Sequence, residues 1–255
     1  MKQSVVAAVI YKVRPGPYIV LDSPAPISFA TSDFRIALDE GELRIDLVAP
    51  VETVEEARSL ADPYVRSWEI RSGLTRGTPE VQFEYVRPEF VDLDPHGTGP
   101  DKLISVSASA SVSFEPVTQW ILHDYPDAPH DFVADPDVEV MWQRYQNYRS
   151  GNEPLLSMAY FCLSNFEVLV GPSRKTAAVN GHLDPSILSK LGEFTSTGGS
   201  KLTARKIIRH FKGQALDNKE AHWVDSCVRL LIRRLGELRA GVAMRPLSMH
   251  DLPKL

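Results

Sequence analysis

Residues 201–212 hold the side chains of this chain best suited to chemistry on a phosphate. They include five cations (Lys201, Arg205, Lys206, Arg209 and Lys212), no acid, and one histidine, His210. Helical spacing groups Ala204, Ile207, Ile208 and Phe211 on one face, with Lys201, Arg205, Arg209 and Lys212 on the neighbouring face. A basic amphipathic helix of this kind suits the phosphate backbone of a nucleic acid, and its alternative is a solvated face. Arg229 and Arg233 fall with His222 on the polar side of a later helix and complete the candidate nucleic-acid-binding set.

Other chemistry-bearing clusters point less clearly to a site. His123-Asp124 and His130-Asp131, with Asp127, Asp135 and Asp137, are ligand types that suit zinc or non-haem iron. Metal ligands usually sit on preorganised elements, whereas this segment is broken by Pro116, Pro126, Pro129 and Pro136. It reads as an acidic linker, and its apolar Trp120, Ile121, Leu122 and Tyr125 imply that it docks. Asp92 to Asp101 has the composition of a solvated loop. Thr195 to Lys201 reads as a loop ending in Gly-Gly-Ser-Lys. The full phosphate-cradling pattern is absent and no strand precedes it, so nucleoside triphosphate hydrolysis is not expected. No metal and no other cofactor is expected.

Charge is divided along the chain. Residues 1–137 hold 11 Lys/Arg and 23 Asp/Glu, a net of −12, while residues 138–255 hold 17 and 10, a net of +7. The whole-chain value of −5 hides this split, which points to a polyanionic partner. No apolar run reaches bilayer length, so no membrane partner is expected. The start, Met1 to Ile10, reads as a strand and not a signal peptide. Cys162 and Cys227 lie in apolar helical patterns, which fits a reducing cytoplasm better than a disulfide framework.

The elements that must position these residues follow from periodicity. Ser4 to Val13 is a Val/Ile-rich strand. Phe34–Leu38 and Leu43–Leu47 form a hairpin across Asp39-Glu40-Gly41-Glu42, where glycine supplies positive φ. Val51 to Ile70 is helical, with Thr53 and Glu56 as a capping box. Val81–Val86 and Leu103–Phe114 are strands, the second with a hydroxyl-lined outer face. Val138 to Arg149 is a helix. A second, capped by Asn152, runs through Leu155–Val170 and is apolar nearly all round, as expected of a central helix. Its Glu167 needs a partner, for which Arg234 is a candidate. Pro185–Phe194 and Asp217–Arg239 are further helices, and Arg245 to His250 reads as an irregular tail. The expected fold class is α+β: an antiparallel-sheet domain over residues 1–115, a Pro/Asp-rich linker over 116–137, and a basic all-α helical bundle over 138–255.

Arg205 and His210 form an Arg, four residues, His pattern in a basic all-helical domain. This resembles the HEPN superfamily of small helical bundles, often dimeric, many of them metal-independent ribonucleases in bacterial defence and toxin systems. The resemblance covers about 115 residues and leaves the acidic half outside it. It implies that Arg205 stabilises charge on a phosphate and that His210 acts as general acid or base. It also implies a homodimer through the helical domain. Residues five apart on a straight helix lie about 140° apart around its axis, so convergence needs a helix end, a kink or a second protomer. Three functions follow: an RNA-directed ribonuclease restrained or targeted by its acidic domain; a non-catalytic nucleic-acid- or protein-binding adaptor; or two charged halves that satisfy each other.

Overall fold

A computed structural model of the chain describes residues 4–92, 119–197 and 215–255. The fold is α+β, an antiparallel sheet followed by helices. Contacts divide it into two units, Met1–Val65 with Glu80–Pro126, and Arg66–Pro79 with Asp127–Leu255.

The first unit is built on a five-stranded antiparallel sheet. Its strands are β1 (Ser4–Pro15), β3 (Ile27–Ala30), β4 (Phe34–Asp39), β5 (Glu42–Val51) and β6 (Val81–Asp92), ordered β3-β4-β5-β1-β6. Val6, Ala8, Val9, Ile10 and Tyr11 of β1 are all buried, as expected for a strand flanked on both sides. The β4–β5 turn has positive φ at both Glu40 (47°) and Gly41 (77°), the mirror-image turn whose twist matches the flanking strands. Helix α1 (Val54–Arg76) begins where expected, with Thr53 Oγ1 accepting from the Glu56 amide at 3.1 Å. In its first half, Ala57, Ala61 and Val65 are buried, and Asp62 accepts the Tyr11 hydroxyl at 2.6 Å.

Two strands outside the expected set, β2 (Ile19–Ala25) and β7 (Trp120–Asp124), form a separate parallel pair. They put part of the proline-broken segment into a ladder. Tyr125 is buried, and its hydroxyl accepts from the Gly41 amide at 2.9 Å. The strand expected over Leu103–Phe114 lies outside the described residues.

The second unit takes the end of α1 together with α2 (Pro136–Arg149), α3 (Leu155–Val170), α4 (Arg174–Asn180), α5 (Pro185–Thr197) and α6 (Asn218–Ala240). Helix α3 packs against all four of the others from α2 to α6, with Met158, Ala159, Cys162 and Phe166 fully buried. A capping box of Asp217 and Glu220 starts α6, and Gly241 ends it in the left-handed conformation. Three local expectations are corrected. Helix α3 is N-capped by Pro154, whose carbonyl accepts the Ser157 and Met158 amides, and not by Asn152. Helix α5 continues through Thr197, so the segment read as a loop from Thr195 begins helical. The C-terminal segment is anchored: Leu247 bridges in parallel to Leu183, and Met249–Asp251 form a 3₁₀ turn capped by Ser248. Among the described residues, no single helix is long and apolar enough to cross a membrane.

Candidate functional site

Lys201, Arg205, Lys206, Arg209, His210 and Lys212 lie outside the described residues. Arg229 and Arg233 lie on α6, one turn apart, and both line a cleft of about 640 Å³ within the helical unit. Four stretches distant in sequence wall it: the end of α1, Asp131 in the segment before α2, the polar side of α6, and the C-terminal segment from Val242 to Pro253. They bring Arg71, Arg234 and Arg245 to the same cleft.

Each arginine is held by a defined contact. Arg71 grips Asp131 through Nε and Nη2 at 3.0 and 3.2 Å, a planar fork matched to a carboxylate. That grip, with Arg233 nearby, holds the Asp131 carboxyl below the usual carboxylate range despite its partial burial. Arg229 is also committed to structure. Its Nη1 donates to the carbonyls of Leu74 and Thr75 at 3.1 and 2.7 Å, which caps the end of α1. Its Nε donates to Asp225, which also accepts the buried Tyr145 hydroxyl at 2.9 Å. Arg233 reaches Glu237 at 2.8 Å and keeps half of its side chain in solvent.

Arg234 differs from the others. Its side chain is 2% exposed, with Nη1 on Glu237 at 3.1 Å and Nη2 on the Arg245 carbonyl at 3.1 Å. Among the described residues, its Nε has no hydrogen-bond partner. Burial, followed by the neighbouring Arg233 and Arg245 charges, disfavours its cationic form, and Glu237 opposes both. Arg245 is mostly exposed and paired with Asp251 at 2.7 Å. Backbone donation from Ser248 and the Arg245 contact pull the Asp251 carboxyl down to about 2. Glu237 thus serves two guanidiniums. Among the described residues, the five cleft arginines face four carboxylates, Asp131, Asp225, Glu237 and Asp251.

Arg234 is paired, but not with its candidate partner Glu167. Glu167 pairs with Arg174 at the start of α4, and Arg234 takes Glu237 three residues along its own helix. Local partners at i,i+3 require no long-range alignment. Three acids of the 116–137 segment are likewise bound to arginines. Asp135 caps α2 and pairs with Arg239, which Asp137 also contacts at 3.2 Å, and Asp131 holds Arg71. His123 lies 3.6 Å from Asp22. Among the described residues, no group of three or more His, Cys, Asp or Glu side chains could hold a metal ion.

Sequence reasoning singled out Arg229 and Arg233 but not Arg71 or Arg245 as site residues. The only signal for Arg234 was its place at the apolar edge of α6. No protein-family model matches this chain, and no curated protein or solved structure shows significant similarity to it.

Proposed function

We propose that the helical unit binds RNA, with the arginine cleft on α6 as a phosphate-contacting surface. The supporting observation is the imbalance at that cleft, where five guanidiniums share four carboxylates and two of them share Glu237. Guanidinium forks match phosphate as well as carboxylate, so an incoming phosphate can take up the surplus charge. The net of +7 on residues 138–255 adds the long-range attraction that such binding needs.

The Arg205–His210 pattern supports a second step, in which the bound RNA is cleaved without metal. His210 would move a proton at the reacting ribose or leaving oxygen, and Arg205 would stabilise the phosphate charge. A homodimer through the helical domain would let the two residues converge from different protomers.

Fluorescence anisotropy with a labelled single-stranded RNA tests binding on the full chain. Affinity is expected to fall steeply between about 50 and about 200 mM salt. Joint replacement of Arg233 and Arg245 by Ala is expected to lower the slope by about 0.7 per lost phosphate contact. Absence of binding at low salt, or an unaltered slope in the double variant, overturns the cleft reading. Cleavage of the same RNA, abolished by His210→Ala with binding retained, supports the second step. Equal cleavage in both proteins, or none in either, overturns that step and leaves a binding module.

A further inference from the structure

We propose that the cleft accepts an unstacked base of single-stranded RNA, laid against an apolar wall while the exposed arginines take the phosphates beside it. The inference rests on the reading of the cleft as an RNA-contacting surface and deepens it by naming the form of RNA that fits. Of the five cleft arginines, Arg233 and Arg245 keep half or more of their side chains in solvent, at 51% and 70%. These are the two that an incoming strand reaches. Arg71, Arg229 and Arg234 are at most 20% exposed and are held by contacts within the protein.

The same cleft is lined by Leu230 of α6 and by Val242, Met244 and Leu247 of the C-terminal segment. All four are half-buried, so part of their apolar surface still faces water. A surface that contacts phosphate alone does not call for that lining, because phosphate oxygens are answered by N–H donors and not by methyl groups. A nucleotide matches both parts: the faces of its base suit the apolar wall, and its phosphate suits the arginines. About 640 Å³ lies in the range of a small-molecule site and admits a base with its ribose.

Shape decides the form of the RNA. A duplex keeps its bases paired and stacked behind a convex backbone. It can meet Arg233 and Arg245, but it cannot lay a base against Leu230 or Met244. A single strand can splay a base out of its stack, and sequence-reading RNA sites commonly take such bases. The arginines add to this contact, since a guanidinium plane also stacks on a base.

Fluorescence anisotropy on the full chain tests the proposal with three probes of equal length: a single-stranded RNA, its duplex, and a strand of abasic spacers. Burying about 60 Å² of apolar surface is worth about tenfold in affinity. The single strand is therefore expected to bind at least about tenfold more tightly than either of the others. The duplex carries the denser charge, so phosphate contact alone predicts that it binds more tightly than the single strand. Met244→Ala, in the irregular segment after α6, is expected to weaken the single strand about threefold and to leave the duplex unchanged. Arg233→Ala is expected to weaken both.

Duplex or abasic strand binding as tightly as the single strand overturns the base pocket and leaves the phosphate contact in place. A loss in Met244→Ala that is equal for single strand and duplex also overturns the pocket, because it marks a structural effect. Binding of none of the three probes at low salt overturns the RNA reading and the pocket with it.

Discussion

Tyr145 shows how closely a single side chain ties α2 to the cleft. Its ring is fully buried and stacks on Trp142 at 5.6 Å, while its hydroxyl donates to Asp225, the carboxylate that also steadies Arg229. Burial and the Asp225 charge both push the phenol up, so it remains a donor across the working pH range. Tyr145→Phe is expected to cost about 1.5 to about 3 kcal/mol in urea unfolding, the range for one hydrogen bond to a charged group. An unchanged midpoint would show that Arg229 alone satisfies Asp225. The chain contained the cues for the residues of α6 but not for their partners. Arg229 and Arg233 were visible as a polar stripe, whereas Leu74 and Thr75 lie about 150 residues earlier and entered the site only through folding.

At the scale of elements, α6 is the best-defined piece, with a capping box at one end and a left-handed glycine at the other. Within it, Gly236 answers to packing. A Cβ there would come within 2.1 Å of the Phe132 ring, which is itself buried at 1% exposure. Alanine in a helix interior is ordinarily favoured over glycine by about 1 kcal/mol. Gly236→Ala is nevertheless expected to destabilise the protein by about 1 to about 3 kcal/mol, because the ring has to leave its place. A raised denaturation midpoint would show that Phe132 can move at little cost. This reversal could not have been read from α6 itself, since Phe132 precedes α2. The same reason hid β2 and β7, whose pairing joins segments about a hundred residues apart.

For the whole molecule, paired charges govern how stability responds to pH. Asp131 and Asp251 are held below their ordinary range by arginines and backbone donors when folded. Lowered folded values add stability above the unfolded carboxylate value near about 4, and that stability is lost as pH falls through the folded values. The urea midpoint is therefore expected to hold between about pH 7 and about pH 5 and to fall below about pH 4, with the Arg245–Asp251 tie released near about pH 2. A midpoint independent of pH over that range would show that these ties contribute nothing to stability. The sequence by itself determined the α+β class, the β4–β5 hairpin, the start of α1, and the capped helix α6. Each depends on local periodicity, turn chemistry or a cap within a few residues. It also carried the charge split, because composition requires no folding. Only the tertiary structure decided which charges meet. Arg71, Asp131, Arg234 and Arg245 converge because α1, the segment before α2, α6 and the C-terminal segment wall one cleft. No periodicity in the chain encodes contacts between residues so far apart, and the buried surplus charge of Arg234 exists only once that packing has formed.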